Sequence, residues 1–273
     1  GGIRGALFVT LFQLLILAIV QGLTEFLPIS SSGHLVLTSN LLGWQDQGLV
    51  IDIAVHVGTL LAVMVYFWRD LWMITTGTFS ALSGRPNQGF RLLIYMIVAT
   101  LPIIAAGYFG HEYIKTALRS VEVIAWTTLL FGILLGIVDW MCMTVRRLEH
   151  LTYGGVLFVG LAQVLALIPG TSRSGITITA CRMLGMERTD AARFSMLLSM
   201  PAILGAATLA GLDVYQAGDL ALGVDAAVSV ALSFFAALIA IAVMMRWLMR
   251  ATFLPFVIYR ILLGAGLLYW VYS

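Results

Sequence analysis

Charge is scarce in this chain. Only 10% of its 273 residues are Asp, Glu, Lys or Arg, against roughly 25% in soluble domains. That scarcity, with 61% hydrophobic content, excludes a water-soluble globule. The net charge of +2 leaves no basic stripe, so nucleic acid is not an expected partner. The two cysteines, Cys142 and Cys181, lie far apart without a C-x-x-C or Cys/His spacing, which argues against a disulfide or zinc framework. Short alternating strands are missing as well, and the long apolar runs speak against a transmembrane barrel. An all-α polytopic integral membrane protein remains, and the 27 glycines suit helices that approach closely in lipid.

A helix needs roughly 20 apolar residues to cross a bilayer. The sequence offers such runs at 49–67, 91–110, 121–141, 190–212, 220–245 and 253–272. Two further apolar stretches, 5–20 and 153–168, behave differently. Each meets a Pro/Ser/Gly break and then a second stretch too short to span, at 34–43 and 176–185. That pattern predicts two re-entrant helical hairpins, whose irregular backbone must be surrounded by protein or a water-filled cavity. The run at 5–20 leads straight into its break and reads as retained structure rather than a signal peptide.

The two broken segments are copies of one another. Residues 21–43 and 163–185 align without a gap, matching at Gln21/Gln163, Leu23/Leu165, Ser30/Ser172, Ser32/Ser174, Gly33/Gly175, Leu42/Leu184 and Gly43/Gly185. The offset is constant, since 163 − 21 and 185 − 43 both give 142. The chain thus reads as a single membrane domain, 1–273, built from repeats of approximately 5–141 and 153–272. Arginines gather in segments 68–91, 142–152, 182–193 and 246–252, whereas 211–225 holds Asp213, Asp219 and Asp225 and no basic residue. Placing the basic segments inside lets the six spans alternate, with Lys115 and Arg119 as the exception outside. Three spans follow each hairpin, so the second copy is inverted relative to the first. Such inverted repeats place a site near mid-membrane.

The polar residues of the two breaks carry the chemistry. Gln21 and Glu25 stand at i, i+4 on one face of a helix that ends near Pro28. A carboxylate buried there must be paired, metal-bound or protonated. Ser30, Ser31, Ser32, Gly33 and His34 follow, bringing hydroxyls within a few residues of an imidazole. Serines in such a break also serve simply as helix caps, while His is the commonest general acid or base near neutral pH. In the second copy, Gly170, Thr171, Ser172, Arg173, Ser174 and Gly175 precede a helix. Helix N-terminal amides, small hydroxyls and a forked guanidinium all favour a phosphate oxyanion. Asp52 and His56, also i, i+4, either border the cavity or form an interfacial pair. Arg260 in the last span is expected to snorkel or to meet a carbonyl.

At QGLTEFLPISSSGH together with PGTSRSGIT the chain resembles the bacterial undecaprenyl-diphosphatase family, the bacitracin-resistance type, along essentially its whole length. The resemblance implies a multi-pass protein of the bacterial inner membrane, its active site facing the periplasm. The family removes one phosphate from undecaprenyl diphosphate, the lipid carrier recycled in peptidoglycan synthesis, with a divalent cation, Mg²⁺ or Ca²⁺. Carried over by position, the acidic motif falls on Gln21 and Glu25, the serine–histidine motif on Ser30, Ser31 and His34, and the arginine motif on Gly170, Ser172, Arg173, Ser174 and Thr177. In that reading Glu25 and Gln21 hold the metal. Ser30, Gly170, Ser172, Arg173, Ser174 and Thr177 bind the phosphates, and Ser31 is the nucleophile with His34 as base. Attack by water, or by His34 itself, is the alternative. Many members carry Glu where this chain has Gln21, leaving Glu25 the only acid of its motif. Besides lipid, the expected partners are the substrate and, in a homodimer, a second copy. A transporter or flippase of an anionic lipid phosphate shares the inverted-repeat architecture; an adjoining Ser/His pair and carboxylate favour the enzyme.

Overall fold

The computed structural model describes residues 2–31, 33, 34, 38, 49–118, 120–217 and 224–273. Among the described residues the regular structure is helical apart from one isolated bridge between Arg146 and Met186. The chain opens with α1 (Gly2–Thr24). Then come α2 (Leu49–Tyr66), α3 (Trp68–Leu82), α4 (Gln88–Ala117) and α5 (Val121–Met141). The second half holds α6 (Tyr153–Val164), α7 (Arg173–Met183), α8 (Arg188–Ala217), α9 (Val224–Leu248) and α10 (Leu254–Tyr272).

Polar residues set several of these boundaries. Asn87 accepts from the Gly89 and Phe90 amides at the start of α4, Ser120 from Val123 at α5, and Thr152 from Gly155 at α6. Each occupies donors that no helical carbonyl can reach. Five helices are long and apolar enough to cross a membrane: the Gln88–Gly110 part of α4, α5, the Arg188–Thr208 part of α8, α9 and α10. A sixth crossing arises if Ile51–Tyr66 and Trp68–Leu82, bent by 79° at Phe67, count as one broken span. The sequence places a span at 49–67 but does not anticipate α3 behind it, where Asp70 is buried against Arg193 of α8. Two shorter apolar helices, Phe12–Thr24 and Tyr153–Leu167, run up to the two breaks. Most of the expected second arm at 34–43 lies outside the described residues.

Packing surrounds these short arms with the long helices. α1 packs on α9 and α6 on α4, while α2 lies along α9 and α10 along α5. Small residues allow the close approaches. A Cβ at Gly22 would come within 2.7 Å of Ala236, and one at Gly160 within 2.8 Å of the Ala99 backbone. At the end of the molecule that carries the basic segments, Asp139 of α5 accepts from Arg182, Arg188 and the Phe253 amide. Arg182 is wholly buried and also donates to the carbonyls of Met143 and Cys142. This cluster ties α5, α7, α8 and α10 together. A buried charge is tolerable only with such complete pairing.

Candidate active site

The two breaks share one local conformation. Ser30 and Ser172, matched in the alignment, both take left-handed backbone, with φ of 75° and 72°. Each side chain then accepts from the amide three residues on, Gly33 at 3.2 Å and Gly175 at 3.0 Å. Each carbonyl accepts from the amide four residues on, His34 and Ile176. A non-glycine residue with positive φ costs on the order of 1–3 kcal/mol; here the cap at the start of a helical turn offsets it. Gly170 also has positive φ, and a Cβ there would lie 2.7 Å from the Ile124 carbonyl.

Equivalent positions of the two copies meet at shared partners. Pro28 and Gly170 occupy the same repeat position, and both carbonyls accept from the Arg260 guanidinium, at 3.3 and 3.0 Å. Arg260 is wholly buried and donates further to the carbonyls of Thr171, Thr127 and Thr128. It therefore does not snorkel: it pins the two turns to each other and to α5. Ser31 and Arg173 are likewise equivalent, and both donate to Glu25. Ser31 Oγ reaches Oε2 at 3.1 Å and Arg173 Nη2 reaches Oε1 at 3.3 Å. Gln21 Nε2 adds a 2.7 Å bond to Oε2. The buried carboxylate is thereby paired, and the acidic motif touches the arginine motif 148 residues away.

His34 stands apart from Ser31. Its Nδ1 is 2.6 Å from the Ser30 carbonyl, which can only accept, so Nδ1 carries the proton. Nε2 is then the acceptor for the Tyr259 hydroxyl at 2.5 Å. The expected nucleophile–base pairing of Ser31 with His34 is not the contact this structure makes, because Glu25 takes the Ser31 hydroxyl. The hydroxyls expected to hold phosphate also have protein partners. Ser172 caps Gly175, Ser174 donates to the Leu27 carbonyl at 2.9 Å, and Thr177 lies 2.6 Å from Ser195 Oγ. All three are buried and shape the turn. Arg173 is directed by the Ser195 carbonyl as well as by Glu25. Tyr259 and Ser195 were not legible in the sequence, since a lone Tyr or Ser in an apolar span signals nothing by itself.

For a divalent cation this donor set offers one carboxylate. Among the described residues no three His, Cys, Asp or Glu side chains are grouped to hold a metal. Gln21 turns its NH₂, not its oxygen, toward Glu25, and Gln21 Oε1 is buried without a partner. The residues fit a cation through Glu25, with phosphate and water completing an all-oxygen shell; Gln21 as oriented does not join it.

Comparison with known proteins identifies the family. The family described as "Bacitracin resistance protein BacA" matches residues 14–266. The chain is 49% identical over 267 residues to Undecaprenyl-diphosphatase 1 of Rhodospirillum rubrum, covering 94% of each protein. It is 48% identical over 265 residues to the Undecaprenyl-diphosphatase of Alteromonas mediterranea, covering 97% of this chain and 100% of that one. Against the Undecaprenyl-diphosphatase of Alcanivorax borkumensis the identity is 50% over 267 residues, covering 95% and 98%. A match across nearly the whole chain, with both motif turns joined at one carboxylate, places the chain in the bacitracin-resistance protein BacA family.

Proposed function

We propose that the chain is an undecaprenyl-diphosphatase, releasing inorganic phosphate from undecaprenyl diphosphate and leaving the lipid monophosphate. The observation that carries this reading is the Glu25–Arg173 pair with Ser31 on the same carboxylate. Diphosphate, the stronger anion, competes with Glu25 for the guanidinium. Arg173 turns its fork to the phosphate oxygens, and the amides of Arg173 and Ser174 at the start of α7 add donors that no helical carbonyl uses. Ser31 Oγ attacks the terminal phosphorus while its proton passes to Glu25 Oε2, the oxygen it already contacts. The anhydride P–O bond breaks, and the monophosphate leaves as an anion. Water then cleaves the phosphoserine and restores the hydroxyl. A bound Mg²⁺ or Ca²⁺ supplies charge neutralisation on the diphosphate. Glu25 Oε1, the oxygen that Arg173 vacates, is the donor this chain offers it.

The same reading gives the chain six crossings and two re-entrant hairpins in an inverted repeat, held in the inner membrane with the site open to the periplasm. The shared geometry of Ser30 and Ser172 and the distribution of arginines support it. Release of inorganic phosphate from a polyprenyl diphosphate by the purified chain in detergent tests the activity. Turnover without a membrane gradient is expected; binding without turnover would favour a carrier. Single cysteines in place of Trp44 and Glu187, with Cys142 and Cys181 replaced, test the topology. An impermeant thiol reagent applied outside should label the first and reach the second only after the membrane is opened. Labelling of both from one side would end the inverted arrangement.

A further inference from the structure

His56 belongs to neither motif, yet it reaches the site. It lies on α2, and its Nδ1 is 2.6 Å from the Asp52 carbonyl. A carbonyl only accepts, so Nδ1 carries the proton and Nε2 presents a lone pair. That lone pair faces Gln21 Nε2 at 3.4 Å. The Gln21 amide therefore has acceptors for both its N–H bonds, His56 on one side and Glu25 Oε2 on the other. Its own carbonyl oxygen is left buried and unpartnered. An amide free to rotate would avoid that cost; two acceptors on its nitrogen side hold it there.

We propose that His56 is a positioning residue of the hydrolytic site, acting through Gln21 to hold the Glu25 carboxylate toward Ser31 and Arg173. Gln21 is then a hydrogen-bond donor to Glu25 and not a metal ligand. The chain of contacts runs from the Asp52 carbonyl through His56 and Gln21 to Glu25, whose far oxygen meets Arg173. Without the imidazole the amide keeps one acceptor, and its plane is no longer fixed. Glu25 then loses the orientation in which one oxygen takes the Ser31 proton and the other is released by Arg173. His56 makes no contact with the reacting groups themselves, so its loss acts on turnover rather than on substrate affinity.

The proposal rests on the phosphatase reading, and two measurements separate the pair. The first is phosphate release from a polyprenyl diphosphate by the purified full chain. His56→Leu, similar in bulk but without an acceptor, is expected to lower kcat about tenfold at unchanged KM, the scale of loss for supporting partners of a site. His56→Gln, which restores an acceptor, should recover most of it. In a Gln21→Ala background His56→Leu should add no further loss. His56→Met serves the same comparison if the leucine variant does not fold. Wild-type kcat in the acceptor-less variant, or a loss that persists undiminished without Gln21, overturns the proposal. The second measurement is the ¹⁵N spectrum of histidine-labelled protein, with the His56 signals identified by their absence in His56→Gln. A protonated Nδ1 and an Nε2 signal that moves in Gln21→Ala are expected. An Nε2 signal indifferent to Gln21 removes the contact, whether or not the wild type turns over. No phosphate release with the contact intact would count against the phosphatase reading alone.

Discussion

The two motif turns share a left-handed serine with its cap and differ in what they carry. In the first, Ser31 and His34 are half-buried, and one carboxylate supplies the only charge between Gln21 and His34 apart from the imidazole. In the second, Ser172, Ser174 and Thr177 are buried, and two side chains extend to the other copy, Arg173 to the Glu25 carboxylate and Ser174 to the Leu27 carbonyl. Gln21 and Gln163 sharpen the contrast. Both are wholly buried at the same repeat position, and both leave Oε1 unpartnered. Gln21 donates to the Glu25 carboxylate, whereas Gln163 donates to the Ala99 carbonyl at 3.1 Å. In the proposed reaction the two turns have separate tasks, the first supplying the Ser31 hydroxyl and the Glu25 carboxylate and the second the Arg173 guanidinium.

The strongest way to break the comparison is to remove what joins the turns. Arg260→Leu leaves the carbonyls of Pro28 and Thr171 without the donor they have now, and Gly170 with only the long 3.4 Å bond from the Thr128 hydroxyl. At roughly 1–3 kcal/mol for each buried group left unsatisfied, unfolding in detergent should come at a much lower temperature or denaturant concentration. Wild-type stability would mean that the turns hold each other without the pin.

Next in size is the loss of the second turn's charge. Arg173→Ala should keep the fold but lower kcat by about 10²–10³, the scale seen when one transition-state anion donor is removed. Arg173→Lys should recover little, because a point charge does not reproduce the fork. Near-normal turnover in either purified variant removes Arg173 from the site.

The first turn can be probed with a metal titration. Glu25→Gln should weaken activation by Mg²⁺ or Ca²⁺ far more than Gln21→Ala, since a hard cation prefers the carboxylate and Gln21 presents nitrogen to the site. Equal activation curves would place the cation on the substrate phosphates alone.

The smallest effect tests the shared backbone. Ser30→Ala and Ser172→Ala should each cost about 1 kcal/mol of stability through the lost cap. The corresponding glycine variants should be close to neutral, because relief of the positive φ offsets the missing hydroxyl. A penalty at one serine only would show that the two turns are not energetically equivalent.

By itself the sequence determined the helical membrane class and the family, and it located the two polar breaks and their matched residues. Those follow from composition, run length and a constant offset, which are properties of the chain in order. For the last-span arginine it left snorkelling and carbonyl pairing open, and the structure decided for the carbonyls. The tertiary structure alone decided who touches whom. Ser31 lies three residues from His34 in the chain, yet its hydroxyl goes to Glu25, while His34 pairs with Tyr259 from the far end. The bend at Phe67, the Ser195 carbonyl behind Arg173 and the His56–Gln21 contact were equally hidden. Each depends on which faces of helices distant in sequence are pressed together. Local periodicity fixes which face of a helix is polar, but the partner of each polar atom is set by the packing of the whole bundle.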